Sequence, residues 1–521
     1  MTTLPAGLPV VVDRAGGTPL AAQISGQLEA AVTGGVLRAG DRLPSSRDLA
    51  ATLGVSRTVV TNAYARLFAE GWLEGRHGSG TYVADVTPPS VSAPPPGPGR
   101  ERGAGSAPPD VAGDPERRRV PPGRPASPAG QAAAPGGSDK PDWHTAIHVR
   151  RPGLIDLQPG IAWADGIEPA LWRRAWRQAG TRLPSRWPDP HGLPELRQEI
   201  AAYLRRSRGL AVTPEQVLIT QGVSSGLALL ADALLAPGDK AGIEEPGYPT
   251  GREVLRRAGA QVVPCRVDAH GIVPGELPGD LRLLYTTPAH QYPLGGRLPV
   301  SRRQALVAWA RATGAIVVED DYDSEFRYDV GPLPALHSMD PEVIVYLGTA
   351  SKVIATAFGA GWLVAPSALV DELAALRPRL GVRIPEPVQH AVLGLLRSGD
   401  LERHIRKMRL EYARRRAALV DGLAHGDSGA TATGADRVPF RLLGDTAGMH
   451  VVLELPDGYP TEHLIKAAAE RGVAVYPLNR YFAGAPTMSG LILGYGTATR
   501  SQVRRAAAEL SRLLVRLPLV P

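Results

Sequence analysis

Fifteen prolines fall within residues 88–141, in runs such as Ala93-Pro94-Pro95-Pro96-Gly97-Pro98-Gly99. Proline fixes φ and removes a backbone donor, and a stretch so poor in apolar residues cannot offset the entropy of ordering its own chain. Residues 86–145 therefore read as an extended, semi-stiff linker. This divides the 521 residues into separate folding units, one over residues 10–85 and one over residues 146–521. The second is long enough for a sizeable core, with a small α+β subdomain from about residue 380. The linker's Arg117-Arg118-Arg119 reads as a solvated charge cluster.

Cys265 is the only cysteine, which excludes an internal disulfide framework and suggests a reducing compartment. No basic region followed by an apolar run opens the chain, and no stretch of about 18 apolar residues occurs, so a cytoplasmic location without a membrane span is expected. The net charge of +7 is spread out: residues 1–85 hold seven arginines and seven acids. Any case for nucleic acid must rest on placement and motif. Only five of the 58 Lys+Arg residues are lysines, which draws attention to Lys352.

In the first unit, Leu20, Ile24, Leu28, Ala31 and Val32 recur at helical spacing. Ser45-Ser46 supply an N-cap for a second helix that Gly54 stops. Ser56 caps a third, Arg57 to Glu70, with Val60, Ala63, Tyr64, Leu67 and Phe68 as apolar positions. Trp72-Leu73-Glu74 and Thr81-Tyr82-Val83 read as strands flanking a Gly-rich hairpin, giving the order of a winged helix–turn–helix. In such a module Ser56, Arg57, Thr58, Thr61 and Asn62 reach bases and phosphates of duplex DNA. Arg42, Ser45 and Arg47 begin the supporting helix, where phosphates also meet its dipole. Arg76 and His77 sit at the wing tip. Periodicity alone also suits an ordinary three-helix bundle. The motifs Asp41-Arg42-Leu43-Pro44-Ser45-Ser46-Arg47-Asp48-Leu49-Ala50, Val55-Ser56-Arg57-Thr58-Val59-Val60 and Gly78-Ser79-Gly80-Thr81-Tyr82-Val83 resemble the GntR-type winged helix–turn–helix across residues 17–84.

In the second unit, short apolar runs alternate with helical stretches. Residues 217–219, 283–285, 316–318 and 343–347 read as buried strands of a mostly parallel sheet with helices on both faces, an α/β fold. Glu402 to Leu423 reads as a long helix and Met449 to Leu455 as a further strand. Chemistry-bearing residues fall at the C-terminal ends of these strands, where open α/β sheets place ligands. Gly222, Val223 and Ser224 link a strand to a helix and leave N–H groups for a phosphate, or form an ordinary turn. Asp320 can keep a pyridine nitrogen protonated, with Tyr322 beside it for a ring hydroxyl; the alternative is a solvated acidic loop. Lys352 follows Gly348-Thr349-Ala350-Ser351, and a primary amine can form a Schiff base with an aldehyde where a guanidinium cannot. No metal site is expected.

Together these residues resemble pyridoxal-phosphate enzymes of the aminotransferase fold (fold type I). Glu244-Glu245-Pro246-Gly247-Tyr248 resembles the segment whose Tyr stacks on the cofactor ring, and Thr287 to Gly295 the loop at its other edge. Residues 319–328, Glu319-Asp320-Asp321-Tyr322-Asp323-Ser324-Glu325-Phe326-Arg327-Tyr328, are similar to a signature of the MocR/GabR transcription regulators, which fuse both modules in this order. The resemblance implies a DNA-binding regulator sensing pyridoxal phosphate, covalently held at Lys352, or an amine reacting with it. It also implies a head-to-tail homodimer. Three positions depart from the family: Gly359 replaces an Arg that pairs with the cofactor phosphate, Trp187 a Tyr that reaches the partner subunit's phosphate, and Ile492 an Arg that binds an α-carboxylate. Backbone donors at 222–224 and the Thr349 and Ser351 hydroxyls would then carry the phosphate. An active aminotransferase with a DNA-binding module, and a cofactor-free dimerisation scaffold, are the alternatives.

Overall fold

The computed structural model describes residues 10–14, 19–33, 36–76, 80–84, 153–328, 334–425, 438–444 and 447–516. The expected linker and its basic run lie outside them. Among the described residues no helix is long and apolar enough to cross a membrane.

The N-terminal elements are α1 (Leu20–Thr33), β1 (Arg42–Leu43), α2 (Ser46–Leu53), α3 (Arg57–Glu70), β2 (Leu73–Arg76) and β3 (Gly80–Val83). Ile24, Leu28, Ala31, Leu49, Val60, Ala63, Tyr64 and Leu67 form their core. The Ser45 hydroxyl accepts the Asp48 N–H at 3.2 Å, and Gly54 and Gly71 close α2 and α3 at φ 62° and 82°, where glycine carries no Cβ penalty. Two expectations need correction. Ser56 is the N-cap of α3 but makes no side-chain cap bond. Phe68 is 38% exposed, because it lies at the edge of the stripe made by residues 60, 63, 64 and 67. The wing also has a third strand, β1, which pairs with β3 at Arg42↔Tyr82. Two residues are too few for periodicity to reveal.

In the C-terminal half an eight-stranded sheet runs in the order Val217–Thr220, Gly361–Val364, Ile344–Thr349, Ile316–Asp321, Leu283–Thr286, Lys240–Glu245, Gln261–Asp268, Gly271–Ile272. The pairs between Ile344–Thr349 and Gln261–Asp268 are parallel, and Gly361–Val364 is antiparallel to both its neighbours. Strand residues alternate between two apolar layers: Val217, Ile219, Tyr346 and Trp362 pack on Leu196, Ile200 and Leu204, whereas Leu218, Val345, Leu347 and Leu363 pack on Leu227, Leu230 and Leu255. A smaller four-stranded antiparallel sheet includes His450–Leu455 and Ser489–Gly494 and lies with helices Asp400–His425 and Arg500–Arg516. Strand Ile155–Asp156 pairs with Val473–Ala474 and so carries residues 157–163 back to the large sheet's ligand end.

Candidate functional site

The residues expected to face DNA fall on wing strand β1, on the starts of α2 and α3, and along α3. Arg42, Ser45, Arg47, Ser56, Arg57, Thr58, Thr61 and Asn62 are solvent-exposed. The Tyr64 hydroxyl donates to the Pro44 carbonyl at 2.8 Å and ties α3 to the turn before α2, while Arg57 Nε donates to the Ser46 hydroxyl at 3.3 Å. The starts of both helices thus present N–H groups and guanidinium groups together. His77 and the side chain of Arg76 lie outside the described residues.

The second cluster surrounds Lys352. Its ammonium donates to the carbonyl of Gly160, and burial lowers its pKa, with Asp320 and Asp323 partly restoring it. Asp320 lies within the strand Ile316–Asp321. Its Oδ2 accepts the Tyr285 hydroxyl, while Oδ1 is buried without a partner. Burial pushes this carboxyl up to about 8, against the lowering effect of the Tyr285 bond. Tyr322 and Asp323 both hold His290: the Tyr322 hydroxyl and Asp323 Oδ2 are each 2.9 Å from its Nδ1. Tyr248 stacks on Tyr285 with ring centroids 6.2 Å apart, and its hydroxyl is 3.1 Å from that of Ser224.

The expected phosphate end gathers Gly222, Thr349 and Ser351. Gly222 precedes helix Val223–Leu234, whose first N–H groups have no intrahelical acceptor. A Cβ at Gly222 would project between the Ser351 and Thr349 hydroxyls, at 3.8 and 3.9 Å, and the φ of 125° there favours glycine. Thr349 Oγ1 accepts the Ser351 N–H at 3.0 Å. A Cβ at Gly359 would meet nothing within 4 Å. The residues therefore fit pyridoxal phosphate at its ring and aldehyde, through the orphan Asp320 Oδ1 and the Lys352 amine. They offer its phosphate a helix start and hydroxyls.

The acidic run 319–325 is not a solvated loop. Glu319, Asp320, Asp321, Asp323 and Glu325 are all buried, because each has a donor. Glu319 takes the N–H groups of Leu336 and His337 at 2.8 Å each, Asp321 pairs with buried Arg208 and takes the Tyr346 hydroxyl at 2.6 Å, and Glu325 takes the Tyr203 hydroxyl at 2.9 Å. The pocket also contains residues the motif reading did not single out. Glu244 accepts from Thr286, Thr287 and Gln291, and Tyr292 donates to the Tyr481 hydroxyl at 3.2 Å. His450 donates Nε2–H to the Pro293 carbonyl at 2.9 Å, and burial pushes its pKa down to about 4. Ile492 is fully buried, opposite Val452 and Tyr476. Trp187 is 83% exposed.

The family model for aminotransferase class I and II matches residues 167–510, and that for bacterial regulatory proteins of the gntR family matches residues 20–83. Over 506 residues the chain is 35% identical to the HTH-type pyridoxine biosynthesis transcriptional regulator PdxR of Corynebacterium glutamicum, covering 97% of this chain and 98% of that protein. It is 32% identical over 513 residues to the probable rhizopine catabolism regulatory protein MocR of Rhizobium meliloti, covering 96% and 95% respectively. Among solved structures, an archaeal alanine:glyoxylate aminotransferase superposes with a TM-score of 0.63 at 25% identity, over 71% of this chain and 92% of that one.

Proposed function

The chain belongs to the MocR-type transcription regulators, with a gntR-type DNA-binding module and an aminotransferase class I and II domain, and we propose that its pocket senses pyridoxal phosphate or an amine reacting with it. One observation carries this reading: Asp320, whose buried Oδ1 has no partner, lies near enough to the half-buried Lys352 for its charge to raise the amine's pKa. When bound, pyridoxal phosphate supplies an aldehyde and a ring that takes up electrons. The lowered pKa of Lys352 enlarges the share of neutral, nucleophilic amine. Asp320 would hold the proton of the ring nitrogen, Tyr322 would bond the ring hydroxyl and Tyr248 would stand against the ring. The N–H groups of Val223 and Ser224 would hold the phosphate with the Thr349 and Ser351 hydroxyls.

Leu183 and Trp187, 92% and 83% exposed, support a homodimer that covers them, assembled head to tail with paired DNA-binding modules on repeated or palindromic half-sites. Sensing then requires the ligand to bind two arrangements of these modules with different affinity. Full amino-acid turnover is disfavoured, because buried, apolar Ile492 offers a carboxylate nothing. Gly359 favours a weaker phosphate hold and is the feature that supports the scaffold reading. The test is duplex-DNA affinity, by fluorescence anisotropy, with and without pyridoxal phosphate. We expect a ligand-dependent change in the intact protein and none in Lys352→Ala; the same affinity in every case would overturn the reading.

A further inference from the structure

The C-terminal end of α3 is seated on the effector half of the chain. Val300, the first residue of helix Val300–Thr313, is buried in the same apolar cluster as Leu67, Trp72 and Leu73 of the DNA-binding module. Beside it a Cβ at Gly71 would stand 3.2 Å from that of Pro299, so the bare glycine lets the two chain segments approach. Two buried charged residues accompany this contact, Glu70 and Arg303, and each keeps an atom without a partner, Oε2 of Glu70 and Nη2 of Arg303. Burial lowers the Arg303 pKa, and Glu319 and Glu70 are the charges that most restore it, so the module's carboxylate lies within electrostatic reach of the guanidinium. Arg303 also connects the seat to the pocket. Its Nε donates to the Leu298 carbonyl at 2.9 Å and its Nη1 to the Pro334 carbonyl at 2.8 Å. The Leu298 N–H donates in turn to the Pro288 carbonyl at 3.0 Å. Pro288 belongs to the segment Thr287 to Gly295, in which His290 meets Tyr322, and the Tyr292 hydroxyl shares with the Lys352 amine the space above Gly160.

We propose that this seat carries the state of the pocket to the DNA-binding module, with Val300 and Arg303 as its positioning residues. It grips α3 at Glu70 and Gly71 and leaves Ser56, Arg57 and Thr58 exposed at the other end, about 20 Å away, so it aims the DNA-facing end without covering it. A buried carboxylate and a buried guanidinium that each lack a bond leave the seat easy to open. A ligand that touches Tyr322 or Lys352 restrains residues 287–298 and the seat with them, which gives the seated arrangement the higher ligand affinity. The inference deepens the sensing reading above and rests on it.

The test follows backbone amide hydrogen exchange of the full-length protein with and without pyridoxal phosphate, beside its visible spectrum. In the intact protein the ligand should slow exchange at residues 67–73 and 298–304 together. Val300→Asp suits the first turn of its helix but puts a charge into the apolar cluster. It should keep the visible band, speed exchange at residues 67–73 about tenfold or more, the worth of unburying one valine, and abolish their response to the ligand. Val300→Ile should keep that response. Should Val300→Asp not fold, Glu70→Gln, which removes the module's charge and touches nothing in the pocket, takes its place with the same expected loss of response. A visible band without slower exchange at residues 67–73 in the intact protein, or a response that survives the variant, overturns the inference and leaves the sensing reading intact. No visible band with pyridoxal phosphate removes both.

Discussion

Tyr285 donates its hydroxyl hydrogen to Oδ2 of Asp320 and leaves Oδ1 buried with no partner. A buried acceptor without a donor is costly, and a ligand N–H at Oδ1 relieves that cost. Asp320→Ala should therefore weaken pyridoxal-phosphate binding about tenfold to a hundredfold in a spectroscopic titration. Because the Tyr285 bond lowers the Asp320 pKa, Tyr285→Phe should raise it further and shift the pH dependence of binding upwards.

Stability should fall between pH 6.5 and 8 in the ligand-free protein. The folded-state pKa of Asp320 is raised, so its contribution is complete below the ordinary 3.8 and is lost as pH rises through about 8. Glu319 and Glu325, raised to about 7, run the same way. His450, depressed to about 4, runs oppositely and is already complete above 6.5. Asp320 accounts for up to about 2 kcal/mol across this window. Thermal melts at both pH values check the decline, and Asp320→Asn should make it shallower, leaving the part due to Glu319 and Glu325.

Arg208 and Asp321 are both about 1% exposed at their side chains, and they bind one another. Replacing Arg208 with Leu should cost about 3–5 kcal/mol, since it strands a buried carboxylate. Urea denaturation measures this.

Much of the site was legible because its chemistry is local. Lys352 follows a strand within four residues of Thr349, and Ser45, Gly54 and Gly71 cap helices by rules that act over one turn. What sequence could not show depends on distant pairing. Lys352 meets Gly160 across 192 residues and Tyr292 meets Tyr481 across 189, contacts created by the return of strand Ile155–Asp156 and the rim beside Ser489–Gly494. A solvated loop stayed open as an alternative for the acidic run because its donors, Arg208, Tyr203 and Tyr346, come from other elements. Phe68 shows the converse error, since periodicity locates a stripe but not its edge.

DNA contacts predict a salt signature. Arg57→Ala should weaken non-specific duplex binding and reduce the magnitude of the slope of log affinity against log salt by about one, as expected for one lost phosphate contact. Anisotropy titrations over a series of salt concentrations read both effects. Unchanged slope and affinity would place Arg57 outside the interface.

The most direct test of the sensing account is the visible absorption spectrum of the full-length protein with pyridoxal phosphate, before and after borohydride, beside Lys352→Ala. The account predicts a borohydride-sensitive band in the intact protein that is absent from the variant. An intact protein without such a band, or a variant that keeps it, would contradict covalent capture at Lys352.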